Sequence, residues 1–167
     1  MDFNFSANTG YLWKELPFID RLKMAKRHAF RSLEFHDEPH KENLAGLKNL
    51  LSEIELNVNG MNARMGDTFG CAAIPDQSDK ARNEIKDAIT IAEDLGAKAL
   101  HILSGVTEYN KTSKSTFISN LKFALDNSKI SILIEPVCEE QLSGYFLRTI
   151  DRAAPIIDKI DHPRLKI

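Results

Sequence analysis

Stretches with the pattern of a β-strand and stretches with the pattern of an α-helix alternate along the whole 167-residue chain. No part of the chain reads as helices only or strands only. This alternation predicts βαβ units, whose right-handed crossovers build a parallel sheet covered by helices. A doubly wound sheet and a (β/α)8 barrel both satisfy the pattern. No Gly-x-Gly-x-x-Gly turn follows the first strand and no Walker loop occurs, so two common nucleotide-binding signatures are absent.

The most apolar predicted strand is Ile130–Val137, which carries apolar side chains on both faces and contains Glu135 followed by a proline. Such a run is typical of a parallel strand buried under helices. The predicted strand Asn57–Ala63 contains Asn59-Gly60, a pair that is also a strong hairpin-turn signal. No well-patterned partner strand follows this pair, so a strand is the preferred interpretation. The six predicted strands are Phe3–Asn8, Ser32–Phe35, Asn57–Ala63, Ala99–Leu103, Ile130–Val137 and Leu165–Ile167.

Five helices are predicted between these strands from apolar residues at helical spacing. Pro17 is placed to open the first helix, Gly96 to cap the third, and Pro155 lies close to the start of the fifth, which runs from near Asp151 to Ile160. The loop Arg64–Pro75 is too long for a simple connection and is a candidate functional segment. The buried stripes of the first four helices are Phe18, Leu22, Ala25 and Ala29; Leu44, Leu47, Leu51 and Ile54; Ala81, Ile85, Ala88, Ala92 and Leu95; and Phe117, Leu121 and Ala124.

A complete barrel typically needs about 250 residues. The predicted fold class is therefore α/β, an incomplete (β/α)8 TIM barrel of five β-α units with parallel strands and the start of a sixth strand. Residues 1–167 are predicted to form a single domain.

Five polar residues lie near the C-terminal ends of the first five predicted strands: Asn8, Glu34, Asn62, His101 and Glu135. Barrel enzymes place their chemistry at this end, which makes the five residues candidates for a site. Each also has a structural reading. The two asparagines are equally typical of strand-end turns, Glu34 of a paired surface carboxylate, His101 of a buried core histidine and Glu135 of a solvated strand end.

The composition narrows the function classes. A formal net charge of −2 gives no electrostatic case for binding nucleic acid or an acidic membrane. The N-terminus has no signal-peptide pattern and no apolar segment approaches bilayer length, so a cytoplasmic protein is expected. Cys71 and Cys138 have no paired spacing and are interpreted as buried thiols. No local motif has the spacing of metal ligands.

Nine segments, in order, resemble the hydroxypyruvate isomerase family, which belongs to the xylose-isomerase-like barrels. They span almost the whole chain, and none is diagnostic alone. The segments are Ser6–Asn8, Glu15–Asp20, Ser32–Phe35, Met61–Ala63, Gly70–Pro75, Ala99–Gly105, Ile132–Pro136, Gly144–Leu147 and His162–Ile167.

The resemblance implies a barrel that binds one divalent metal, Mg²⁺ or Mn²⁺, through carboxylates and a His or Gln. By position Glu135 resembles the family's strand-five glutamate, a metal ligand that also acts as acid and base, and His101 resembles a histidine that contacts substrate. Asn8, Glu34 and Asn62 correspond to the edge of the substrate pocket. The implied reaction converts hydroxypyruvate, a small hydroxy-carbonyl acid, to tartronate semialdehyde through a metal-stabilised enediolate.

The chain ends before the residues that the family supplies from strands six to eight. We therefore expect this polypeptide alone to be inactive, and either marginally stable or associated with copies of itself through open barrel edges. Three alternatives to a truncated isomerase remain: a sugar epimerase of the same superfamily, a related DNA repair endonuclease, and a non-catalytic half-barrel. Five scattered histidines and the negative charge speak against the endonuclease.

Overall fold

The computed structural model describes residues 5–167, and its six strands form one parallel sheet in the order β1-β2-β3-β4-β5-β6. In a doubly wound sheet the strand order reverses at a switch point, whereas strands added in chain order curl into a barrel. The sequential order therefore decides between the two predicted architectures and confirms the partial barrel. The strands are β1 (Ser6–Asn8), β2 (Ser32–Phe35), β3 (Asn57–Asn62), β4 (Ala99–His101), β5 (Ser131–Leu133) and β6 (Leu165–Lys166).

Five α-helices connect the strands, as predicted, and two short 3₁₀ helices lie in the loops. Their apolar faces pack on the outside of the sheet, with Leu22, Leu47, Ile85 and Leu121 all fully or almost fully buried. Residues 5–167 contain no helix with both the length and the apolar character needed to cross a membrane. The helices are α1 (Phe18–Arg27), α2 (Leu44–Glu53), α3 (Ser78–Asp94), α4 (Lys111–Asn127) and α5 (Ile150–Ile160), and the 3₁₀ helices are Glu38–Lys41 and Pro75–Gln77.

Strand pairing decides between the third strand and its hairpin alternative. Strand β3 pairs in parallel with both β2 and β4, and Asn59 and Gly60 lie within it, so the strand interpretation is confirmed. The register of β2 against β3 shifts between Leu33 and Glu34. A bulge of this kind re-aims the side chains beside it, and here it lies at the end of β2 where the candidate residue Glu34 stands.

Two predicted strands end two or more residues earlier than expected. Strand β5 ends at Leu133, not Val137, and β4 ends at His101, not Leu103. The apolar run continues past Leu133 because Ile134 is also buried, and its N–H donates to the Lys166 carbonyl in β6. An apolar run cannot distinguish a buried strand from a buried loop. The first predicted strand is confirmed over Ser6–Asn8, and Phe3 and Asn4 lie outside the described residues.

Two helix details were wrong. Helix α1 ends at Arg27, and Ala29 lies beyond it, exposed and in the left-handed conformation (φ 60°), so it is not part of the buried stripe. Pro155 lies inside α5, where its ring removes one helical hydrogen bond, and not at the start of the helix. Gly96 follows α3 with φ 68°, as a glycine cap requires.

The two cysteines have opposite environments. Cys71 is buried, its thiol donates to Oε2 of Glu84 at 3.3 Å, and burial together with that carboxylate raises the pKa of the thiol to about 12. Cys138 is exposed, so the prediction of two buried thiols was wrong for this residue. It lies in the loop after β5, where apolar neighbours in the sequence do not enforce burial.

We expect a thiol reagent such as iodoacetamide to modify Cys138 alone in the folded protein at neutral pH. The thiolate is the reactive form, and both burial and its high pKa keep Cys71 protonated. Mass spectrometry should show one adduct on the folded wild-type protein and none on the folded Cys138→Ser variant. The unfolded wild-type protein should show two. Two adducts on the native protein would contradict the assignment.

Candidate functional site

A cavity of about 410 Å³ opens at the C-terminal ends of the strands. All five sequence-predicted residues line it: Asn8, Glu34, Asn62, His101 and Glu135. The parallel register brings the strand ends to one edge of the sheet, which is why residues separated by more than a hundred positions meet there. The structure thus confirms their shared location, while their individual roles remain predictions.

Glu135 lies two residues beyond the end of β5, with 63% of its side chain exposed. Its backbone leaves the sheet here, because the following Val137 N–H donates to the Leu147 carbonyl and not to a strand. Its carboxylate is therefore held at the rim of the cavity, accessible to a small molecule.

His101 ends β4 and is buried, with 8% of its surface exposed. Its Nδ1 lies 3.2 Å from Oδ1 of Asn62 and 3.7 Å from Oε2 of Glu135. Burial, with a smaller effect of His36, lowers the pKa of His101 to about 4. Burial outweighs the attraction of Glu135 because water screens the charge of that exposed carboxylate.

His101 is accordingly a neutral imidazole at neutral pH. The two atoms nearest to Nδ1 are both acceptor oxygens, so we place the ring proton on Nδ1. Nε2 is then a lone-pair acceptor, buried and without a hydrogen-bond partner among residues 5–167. The ring can orient Asn62 and lie beside Glu135 without adding charge to the cavity.

The other two candidates, Asn8 and Glu34, differ in their contacts. Asn8 uses its side-chain oxygen to accept the Gly10 N–H at 3.0 Å, which is the turn-forming role that the sequence left open. Glu34 pairs in register with Gly60, lines the cavity, and forms no ion pair within the described part of the chain. The paired-carboxylate reading of Glu34 therefore finds no support.

The sequence reasoning missed His36 and Tyr11, which also line the cavity. The Tyr11 ring meets the His36 ring edge-on, with centroids 4.9 Å apart. Gly10 leaves the space for this ring: a Cβ on Gly10 would lie 2.5 Å from His36. His36 directly follows a predicted strand, and that position was a signal that could have found it. Tyr11 lies in a loop without any motif.

Arg21 on α1 holds the loop that carries Tyr11. Its guanidinium donates to the carbonyls of Leu16 at 2.8 Å, Thr9 at 3.2 Å and Lys14 at 3.4 Å, and pairs with the Glu38 carboxylate at 3.2 Å. One largely buried guanidinium thus fixes three loop carbonyls at once. Sequence pattern places Arg21 only on the polar side of a helix.

The long loop Arg64–Pro75 contributes one wall of the cavity through Met65 and Phe69. An antiparallel bridge between Gly70 and Ser104 anchors it to the loop after β4. Phe69 has φ 51° and remains 40% exposed. The loop was predicted as a functional segment from its length, and its place at the cavity agrees with that prediction.

A cavity with polar side chains on a largely apolar lining, at the C-terminal edge of sequentially ordered parallel strands, defines a TIM-barrel site. The family model described as xylose isomerase-like TIM barrel matches residues 22–167, and the chain belongs to that family.

Named relatives give the resemblance more detail. Hydroxypyruvate isomerase of Escherichia coli (strain K12) is 31% identical over 98% of this chain and 67% of its own length. A 2-oxo-tetronate isomerase of Haemophilus influenzae is 30% identical over 94% of this chain and 64% of its own length. These relatives confirm the resemblance to hydroxypyruvate isomerases, and the chain spans about two thirds of their length.

Among solved structures, that of an AP endonuclease, family 2, from Brucella melitensis superimposes with a TM-score of 0.91. It is 27% identical, and the match covers 97% of this chain and 66% of that chain. The described strands and helices thus correspond to about two thirds of a chain of known structure.

Proposed function

We propose that this chain carries part of the active site of an isomerase for a small hydroxy-oxo acid, with hydroxypyruvate as the substrate and tartronate semialdehyde as the product. The observation that carries the proposal is the meeting of Glu135, His101 and Asn62 at one cavity. Hydroxypyruvate and 2-oxo-tetronate, which appear in the names of the relatives, are both small oxo acids.

In this reaction a proton leaves C3 of hydroxypyruvate and an enediolate forms. A proton is then added at C2, and the proton of the C3 hydroxyl passes to the C2 oxygen, which gives the aldehyde at C3. Glu135 is the base for the first step, because its carboxylate stands at the cavity rim. His101 lies beside that carboxylate, with Nδ1 3.7 Å from Oε2, and leaves it free to act as the base. A neutral ring suits this task, since an imidazolium would hold the carboxylate as an ion pair and make it a weaker base.

The family's divalent metal has an incomplete ligand set here. Residues 5–167 contain no group of three or more His, Cys, Asp or Glu side chains placed to hold a metal ion. The described residues do not by themselves fit a metal centre, and the roles given above to Glu135 and His101 do not depend on one. Binding of Mg²⁺ or Mn²⁺ with Glu135 as one ligand remains a prediction.

A nuclease role, which the Brucella protein's name gives to that protein, has less support. Binding the DNA backbone requires lysine or arginine side chains in the groove. Among residues 5–167, none lines the cavity. A sugar epimerase, the alternative, would also need a base such as Glu135. Its substrate, unlike hydroxypyruvate, has no carboxylate.

The proposal is tested by measuring only the first step, the removal of a proton from C3 of hydroxypyruvate. In D₂O with Mg²⁺ added, we expect the chain to exchange the C3 hydrogens of hydroxypyruvate for deuterium, measured by proton NMR, although we do not expect this chain alone to complete the isomerisation. Replacing Glu135 by Gln should slow this exchange by roughly 100-fold or more, as loss of a general base does. Glu140→Gln, an exposed carboxylate of the same loop, is the matched control and should leave the rate unchanged. Equal exchange by wild type and Glu135→Gln would refute the proposal.

A further inference from the structure

We propose that His36 binds the carboxylate of the substrate and so makes the cavity selective for oxo acids over neutral sugars. This inference rests on the proposed function and assigns a residue that neither the sequence patterns nor the resemblance singled out.

The first observation is a charge imbalance in the cavity. Its lining contains the carboxylates of Glu34 and Glu135, yet within residues 5–167 neither lysine nor arginine contributes to it. A carboxylate entering this space needs a donor, since a buried or half-buried anion without one is strongly disfavoured. The two histidines that line the cavity carry ring N–H groups that can donate to a carboxylate.

The second observation separates the two histidines. His101 has its Nδ1 committed to Asn62, and its burial keeps the ring neutral. The ring nitrogens of His36 make no hydrogen bond within residues 5–167 and are not sealed from the cavity. His36 thus keeps its donors available to a ligand.

The third observation is that the position of His36 is imposed by its surroundings. Tyr11 packs edge-on against the ring, and Gly10 lies so close that a single methyl group there would overlap it. The His36 carbonyl accepts the Asn62 N–H at 3.2 Å, which ties its backbone to β3. A ring held in this way loses little freedom when it binds an anion, and preorganisation of this kind adds affinity.

The charged and titratable groups around His36 favour its ring as the place where a ligand anion binds. Tyr11, Glu34, His101 and Glu135 share the cavity, and Asp37 follows in the chain with its carboxylate accepting the Met65 N–H at 3.0 Å. Glu34 and Glu135 repel a ligand carboxylate, whereas a ring N–H of His36 can donate to it. A hydroxy-oxo acid is therefore expected to point its carboxylate at His36 and its reacting carbons at Glu135.

The test compares two ligands that differ only at this group. Dihydroxyacetone has the three-carbon frame of hydroxypyruvate with a neutral hydroxymethyl group in place of the carboxylate. Each is titrated into the intact chain, and Kd is read from amide shifts in ¹H–¹⁵N NMR spectra. His36→Phe keeps a ring against Tyr11 but removes the donor, and should weaken hydroxypyruvate binding about tenfold while dihydroxyacetone changes less than about twofold.

Two further variants keep the test interpretable. His36→Gln restores an N–H donor on a different side-chain frame and should recover part of the affinity for hydroxypyruvate. His28→Phe is the matched control, because His28 is exposed and stacks on Trp13 away from the cavity lining. It should change neither affinity. The dispersion of the amide spectrum reports whether each variant is folded.

Equal losses for both ligands, or no loss for either, in His36→Phe would overturn the inference. If the Glu135-dependent exchange of C3 hydrogens persists in that case, the proposed function stands without it. If wild type binds neither ligand and shows no exchange, both fail together.

Discussion

Replacing Gly70 with alanine is expected to lower the free energy of unfolding by roughly 3 to 5 kcal/mol, the combined cost of a left-handed backbone and an overpacked contact. Gly70 has φ 86°, and a Cβ there would lie 2.4 Å from both the Cβ and the carbonyl oxygen of Leu103. Neither atom can move freely, because that carbonyl accepts the Ala72 N–H and the side chain is buried. Urea unfolding followed by circular dichroism measures the loss.

The control for this prediction is Gly66→Ala in the same loop. Gly66 also has a positive φ, 53°, but nothing lies within 4 Å of a Cβ at that position. The substitution should therefore cost only the backbone preference, about 1 kcal/mol. Equal losses for the two variants would show that backbone conformation alone, and not the approach of Leu103, sets the requirement for glycine.

The close approach of Gly70 to Leu103 also affects the candidate functional site. Gly70 follows Phe69, which lines the cavity, and the Gly70–Ser104 bridge holds that loop against the loop after β4. Gly105 faces Gly70 from the other side. It has φ 89°, and a Cβ there would lie only 2.5 Å from the Gly70 carbonyl oxygen. Two glycines thus allow two loops to pack together, and their loss is expected to open the wall formed by Phe69.

Acidification is expected to destabilise the protein between about pH 6.5 and pH 4. In this window an unfolded chain binds a proton on His101, whose ordinary pKa is 6.5, while the buried ring in the folded protein, with a pKa of about 4, does not. Stability from this residue is complete above pH 6.5 and is lost as the pH falls. Each pH unit costs about 1.4 kcal/mol, so from about pH 7 to about pH 5 the free energy of unfolding should fall by about 2 kcal/mol.

The variant His101→Gln separates this effect from other titrations, because it should flatten the dependence of unfolding free energy on pH in that window. His40, whose pKa is also lowered by burial, contributes in the same direction, and His40→Gln should remove a further part of the slope. The exposed Glu139, whose pKa hydrogen bonds from Arg148 and Ser143 lower to about 2, loses its contribution only below about pH 4.5. An unchanged slope in His101→Gln would show that the buried ring is not the group responsible.

The order and type of the elements could be read from the sequence because they depend on local periodicity. The stripe Ala81, Ile85, Ala88 and Ala92 repeats at the spacing of one helix face, and all four residues are buried in α3. The same local logic placed Glu135 and His101 at strand ends, since parallel strands separated by helices all present their C-terminal ends to one edge. The position of these two residues at one edge of the sheet could therefore be predicted from the order of the elements in the chain.

Only the tertiary structure decided how long each strand is and what surrounds each candidate. Strand β5 stops at Leu133 because its regular pairing with β6 ends there, although the apolar run continues to Val137. Tyr11 and His36 meet at the cavity through a close approach to Gly10 and a loop held by Arg21, and neither contact has a repeating pattern in the sequence. The physical reason is that periodicity records which face of an element is buried, whereas contacts between loops depend on distances that chain folding alone sets.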